Sequence, residues 1–212
     1  ACNAACQFLL EKGITPTYMF CFDADPLMLE FVTPHPAITY LLASRCPPKA
    51  FDMLAGCRIV CWHAGGDLEI KELLEKHSKM EPMVAGGGAA VTRAMIVVLP
   101  MGYTEVHLYG ADSSFADGDT HIRQSTTKER TIKVKVAHRE FDTAPWMAKQ
   151  FEEFKVLAPV YRDNVGIRFV VHGDGLIPHV AMVMGFETDR LPRVKQFGRR
   201  WKWKAQTLWQ NL

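Results

Sequence analysis

The stretch from Met83 to Gly110 constrains this chain more than any other. Met83-Val84-Ala85 is short and apolar, Gly86-Gly87-Gly88 interrupts it, Ala89 to about Met101 reads as a helix, Gly102 ends that run, and Glu105 to Gly110 is extended again. Strand, tight turn, helix and strand in that order make a crossover unit, which parallel neighbours require. The same alternation runs through the rest of the chain. Ala4 to Lys12 reads as a helix stopped by Gly13, and Tyr18-Met19-Phe20-Cys21-Phe22 is a buried strand ending at Asp23. Ala37 to Leu42 and Arg58 to Trp62 repeat the strand signature, with Pro47-Pro48 opening a helix between them, and Glu69 to His77 is amphipathic. Ile132 to Val136 alternates as a half-exposed strand. Pro145 opens a helix with Met147, Phe151, Phe154, Ala158 and Tyr161 at helical spacing, and Ile167 to Val171 is followed by a short helix from Leu176 to about Met184. The fold class is therefore α/β, a mostly parallel sheet with helices on both faces.

At 212 residues the chain is long enough for one such domain. The expected division is a domain over 1–192 and a basic, Trp-rich segment over 193–212. That segment holds Arg193, Lys195, Arg199, Arg200, Lys202 and Lys204, and removing its six charges from a net +2 leaves −4 for the rest. A nucleic-acid-coating protein would spread its basic surface over the fold, so nucleic acid is disfavoured as a partner. Phe197, Trp201, Trp203 and Trp209 interleave with these bases; the segment is expected to dock on the domain, with an acidic partner as the alternative. No apolar run is long enough to span a bilayer, and the expected location is cytoplasmic. Six cysteines, several inside apolar strands, read as small buried hydrophobes; the spacing of Cys57, Cys61 and His63 does not match a zinc site.

In open α/β sheets ligands bind beyond the carboxyl ends of the strands. Four such ends carry unusual chemistry: Asp23-Ala24-Asp25, Gly86-Gly87-Gly88, Gly110 to Ser114, and His172-Gly173-Asp174-Gly175. Glycines at a helix start let a phosphate reach unpaired amides; the alternative is a plain tight turn packing strand on helix. Asp23 and Asp25 can share a Mg²⁺ whose other ligands are water and phosphate oxygens; alternatively Asp25 caps the helix opened by Pro26. Asp112 is a candidate metal ligand or ribose acceptor, with Ser113 and Ser114 beside it. His121, in a polar flap with Asp117 and Asp119, is a candidate charge partner or general acid, and His172 is a candidate or a satisfied core-edge histidine.

The order Asn3-Ala4-Ala5, Lys12 to Tyr18, and Asp23-Ala24-Asp25-Pro26, followed in register by Gly86-Gly87-Gly88, Gly102 to Ser114 and Asp117-Gly118-Asp119-Thr120-His121, resembles the MptE-like family, named for archaeal 6-hydroxymethylpterin diphosphokinase. The resemblance continues through Trp146 and Gln150 to about Val183. It implies a Rossmann-like domain handling a nucleotide phosphate with Mg²⁺, the name-giving reaction moving diphosphate from ATP to the hydroxymethyl group of a dihydropterin. The same domain type resembles motility accessory factors that glycosylate flagellin and, more distantly, sialyltransferases using a CMP-sugar. Carried over by position, Asn3, Gly86, Gly87, Gly88 and Ser114 would bind the nucleotide, and Asp23 and Asp112 the metal, to which the reading of the residues adds Asp25. Asp112 and His121 would serve catalysis. The implied partners are ATP or a CMP-sugar and a small-molecule acceptor; a non-catalytic nucleotide-binding or scaffold domain is the further alternative. The family usually opens with a strand and a Gly-x-Gly-Pro-Ser loop before the Asn3 segment, so the chain is expected to be a fragment or to lack that loop.

Overall fold

Parallel pairing organises the computed structural model, which describes residues 1–66, 68–79, 81–115 and 130–189. The first sheet joins β1 (Tyr18–Cys21), β2 (Thr39–Ala43), β3 (Arg58–Ala64) and β4 (Met83–Val84) in that spatial order, all parallel, with Phe20 opposite Leu41 and Leu41 opposite Val60. Met19, Phe20 and Cys21 are all buried, as a strand covered on both faces demands. Ala1 to Asn3 run alongside β1, Phe20 N–H donating to the Ala1 carbonyl at 2.8 Å and Asn3 N–H to the Phe20 carbonyl at 3.2 Å. Helix α1 (Ala4–Glu11) precedes β1, and between the strands lie a 3-10 helix (Pro26–Phe31), α2 (Pro48–Met53) and α3 (Leu68–Lys76).

After α4 (Ala90–Val97) the chain builds a second parallel sheet from β5 (Glu105–Leu108), β8 (Arg168–His172) and β9 (Glu187–Asp189). An antiparallel hairpin of β6 (Ile132–Val136) and β7 (Arg139–Thr143) lies beside it in sequence, followed by α5 (Pro145–Val165) and α6 (Leu176–Val183). The α/β, Rossmann-like class expected from the sequence is what forms. The strands of the described residues divide into two parallel sheets and a hairpin.

Two strands carried no legible signal. The turn into β7 places Ala137 at φ 50°, a left-handed conformation without the glycine or asparagine that normally announces it, and β9 is three residues long. The helix beginning near Ala89 stops at Val97, earlier than its composition implies, because Leu99 and Gly102 donate back three residues, to Ile96 and Leu99, in tighter turns. On α5, Met147, Phe151, Phe154 and Ala158 are buried as their spacing requires, and Gln150 joins them.

Two apolar cores result. One gathers Met19, Phe20, Cys21, Tyr40, Leu42, Leu54 and Trp62 around the first sheet; the other gathers Phe151, Phe154, Phe169, Val171, Leu176 and Ile177 around the second. Helix α4 serves both, Val97 entering the first and Met95 and Ile96 the second. Cys6, Cys21 and Cys46 sit in the first core as small hydrophobes; burial pushes the Cys46 thiol up to about 11 and the Cys21 thiol higher still. Among the described residues no helix is long and apolar enough to cross a membrane. The segment 193–212 lies outside the described residues.

Tyr40 is fully buried and its hydroxyl donates to the Thr33 carbonyl at 2.6 Å. Tyr40→Phe keeps the ring but strands that carbonyl, so urea denaturation should show a loss of about 1 kcal/mol with an unchanged m-value.

Candidate functional site

A cleft of about 530 Å³ opens beyond the carboxyl ends of β1, β2 and β3. Phe22 enters it one residue past β1, Arg45 two residues past β2, and Ala64, Gly65 and Gly66 at the end of β3; Gly88 and Arg93 come from the start of α4, Lys149 from α5, and Leu68 and Glu69 from α3. Among the described residues, three cationic side chains therefore line the cleft with one carboxylate. The guanidinium carbons of Arg45 and Arg93 lie 5.2 and 5.0 Å from the centre of the Phe22 ring, and that ring stacks on Trp62 at 5.7 Å. Arg93 is 5% exposed: its Nε donates to the Gly87 carbonyl at 2.7 Å and its Nη1 to the Val84 carbonyl at 2.5 Å, so it ties the glycine turn to β4. Burial lowers its pKa, with the Glu153 carboxylate acting against that shift. Lys149 makes no hydrogen bond or ion pair among the described residues and is the cation left for a ligand.

The three glycines form the tight turn. A Cβ on Gly87 would stand 2.1 Å from Thr92 Oγ1 and 2.6 Å from Glu153 Oε2, and one on Gly86, at φ 132°, would stand 2.2 Å from Ile96 Cδ1. Ala89, the residue before α4, has no side chain to cap the helix. Glu153 of α5 supplies the missing acceptor. Gly88 N–H donates to its Oε1 at 2.8 Å, Ala89 N–H to its Oε2 at 3.4 Å, and the Thr92 hydroxyl to Oε2 at 2.8 Å. The amides that the sequence offered to a phosphate thus hold a carboxylate of the chain itself.

Among the described residues the expected metal carboxylates do not gather into a group of three, and each accepts a backbone amide. Asp23 Oδ1 accepts the Asp25 N–H at 3.1 Å, and Asp25 Oδ1 accepts the Leu27 N–H at 2.8 Å, capping the 3-10 helix. Asp112 Oδ1 accepts the Gly175 N–H at 3.0 Å and Ser114 Oγ the Leu176 N–H at 3.2 Å; together they cap α6, whose preceding Gly175 has no side chain. The fit is close, since a Cβ on Gly175 would stand 2.5 Å from Asp112 Cβ. Asn3 occupies the capping position of α1 at φ 44°, and its buried Oδ1 has no hydrogen-bond partner among the described residues. Of the sequence-predicted residues, Gly88 lines the cleft and Asp23 follows Phe22, which does; Asp112 and Ser114 belong to the rim of the second sheet. His121 lies outside the described residues.

At that second rim, His172 Nε2 is 2.9 Å from His107 Nδ1, Tyr109 stacks on the His172 ring at 4.0 Å, and Asp189 lies 3.7 Å from its Nδ1. Burial, with His107 second, holds the His172 imidazole below its ordinary pKa, against the opposing pull of Asp189 and Glu187.

Sequence reasoning missed Arg45, Arg93, Lys149 and Glu153. Arg45 alone carried a signal, its place just after a strand. Lys149 and Glu153 lie four apart on one face of α5, and nothing local shows that this face meets the glycine turn more than sixty residues away.

Parallel strands, crossover helices and a cleft beyond the strand ends define a Rossmann-like domain. A family model described as 6-hydroxymethylpterin diphosphokinase MptE-like matches residues 1–118, and the chain belongs to that family. No curated protein and no solved structure matches it.

Two outcomes follow from this geometry. Glu153→Ala leaves the Gly88 and Ala89 amides without their acceptor, the Thr92 hydroxyl keeping the Ala89 carbonyl, and Gly87→Ala drives a methyl into Thr92; each should lower unfolding free energy by about 2 kcal/mol in urea titrations. The His172 shift has a definite sign. Between its lowered folded value and the ordinary histidine value of about 6.5, the unfolded chain binds a proton that the folded chain refuses, so stability falls as pH drops through that window. Denaturation at pH 7.5 and 5.5 should show that loss, and His172→Gln should reduce it.

Proposed function

We propose that this chain is a transferase that seats the phosphates of a nucleotide in the cleft between Arg45, Lys149 and Gly88, the lead reading being ATP-dependent diphosphate transfer of the 6-hydroxymethylpterin diphosphokinase type. The supporting observation is the charge of the cleft: Arg45, Arg93 and Lys149 against Glu69, beyond the carboxyl ends of parallel strands. Arg93 is committed to backbone carbonyls and holds the turn, Lys149 makes the leading phosphate contact, and Arg45 adds its positive charge at the cleft wall. The Phe22 ring keeps both guanidiniums at the cleft wall.

Mg²⁺ suits such a site. No three carboxylate, histidine or cysteine side chains gather into a metal-binding group among the described residues, but Mg²⁺ bound to a nucleotide commonly takes only one or two protein carboxylates, with phosphate oxygens and water completing its shell. Asp23, next to Phe22, has an Oδ2 with no partner among the described residues and is the carboxylate we assign to it; Asp25 and Asp112 serve as caps. Bound there, Mg²⁺ would neutralise charge on the transferring group. The protein's part is to bind and orient the phosphates through Arg45 and Lys149, which places catalysis in positioning and charge neutralisation.

Thermal unfolding with ATP and with CMP, each with and without Mg²⁺, tests this. A ligand at a hundred times its dissociation constant stabilises the fold by about 2.7 kcal/mol. ATP should raise the midpoint only with Mg²⁺, Arg45→Ala and Lys149→Ala should each abolish most of the rise, and Asp23→Asn should remove its dependence on metal. A rise with CMP that ignores Mg²⁺ would transfer the site to the CMP-sugar glycosyltransferase reading. No rise with either would leave a non-catalytic domain.

A further inference from the structure

The end of the first sheet carries a second constellation on the face away from the cleft. Ala64 lines the cleft and Trp62 stacks on Phe22, so His63, between them on β3, projects to the opposite side. There His63 Nδ1 lies 2.9 Å from Ser44 Oγ, and His63 Nε2 lies 2.6 Å from Glu81 Oε2. Each partner is fixed by sheet pairing. Ser44, one residue past β2, donates its N–H to the Trp62 carbonyl at 2.8 Å, and Glu81 stands two residues before Met83, which pairs with His63. Three successive strand segments thus deliver one hydroxyl, one imidazole and one carboxylate.

The protons follow from the donor inventory. An ionised Glu81 can only accept, so a neutral His63 carries its hydrogen on Nε2 and turns the Nδ1 lone pair toward Ser44. The Ser44 hydroxyl then donates to that nitrogen. This is the order of nucleophile, base and orienting carboxylate on which serine nucleophiles depend. The side chain of His63 is 13% exposed and that of Glu81 50%, and Ser44 is half-buried, so a reagent from solvent can reach the hydroxyl.

We propose that Ser44 is a nucleophile activated by His63 and oriented by Glu81, giving this face a serine-dependent acyl-transfer activity toward small esters, separate from the cleft. Ser44 Oγ bonds to the ester carbonyl carbon and its proton passes to His63 Nδ1. The carbon–oxygen bond to the leaving group breaks, and the leaving oxygen takes that proton. Water then cleaves the acyl–Oγ bond, its proton passing through His63 to restore the Ser44 hydroxyl.

Labelling of the whole chain with an alkyl fluorophosphonate tests the nucleophile. The Ser44 Oγ–phosphorus bond forms as fluoride leaves, and the adduct is read by intact mass and peptide mapping. One adduct on Ser44 is expected, none with Ser44→Ala, and labelling about a hundredfold slower with His63→Gln. Glu81→Gln should slow it less, and Glu81→Asp should recover part of the rate, which a merely structural carboxylate would not do. Lys155→Ala, on α5 and outside both groups, should label like the unaltered chain. Circular dichroism establishes that each variant is folded. Should His63→Gln not fold, the adduct map of the unaltered chain decides: no adduct on Ser44, or one on Cys61 or another side chain instead, overturns the proposal.

Discussion

The contact on which the architecture turns is the carboxylate of Glu153 against the amides at the start of α4. A helix leaves its first amides without partners, and a glycine turn brings no side chain to meet them. Glu153 meets them from α5, while Arg93 holds the same turn from the other side through the carbonyls of Gly87 and Val84. Acid and base grip one loop between them. With that loop fixed, α4 can bury Val97 on one sheet and Met95 and Ile96 on the other.

The same arrangement determines what the cleft can hold. A carboxylate already satisfies the amides, so an incoming anion finds side chains instead of backbone: Lys149 and Arg45, with Phe22 beneath the guanidiniums. Side-chain cations reach further and adapt more readily than amides, and Lys acts as a point charge without the fixed fork of Arg. Such a wall is less tied to one geometry than a ring of backbone amides would be. Family membership and the parallel strands fix the fold without fixing a chemistry, so any specificity rests on the side chains of this wall.

Much of the fold was legible from the sequence because its signals are local. Apolar runs such as Tyr18 to Phe22, the helical spacing of Met147, Phe151, Phe154 and Ala158, and the glycine-bounded unit around α4 each declare an element within a dozen residues. The hairpin partner β7 escaped because its turn uses Ala137 in place of a glycine. The site was legible only in outline. A cleft does open beyond the strand ends and Gly88 lines it, while the aspartates that looked like metal ligands each bind a backbone amide. A cap and a ligand use the same residues at the same spacing, so sequence cannot separate them. The charges that line the cleft come from Arg45 after β2, Glu69 of α3, Arg93 of α4 and Lys149 of α5, brought together by tertiary packing alone.

Because one short helix supplies buried residues to both cores, neither half can open while the other stays closed. Loosening α4 would bare Met95, Ile96 and Val97 together, so the two cores are expected to melt as one. Its α4 amides should be among the slowest to exchange with deuterium, released only when the entire chain comes apart.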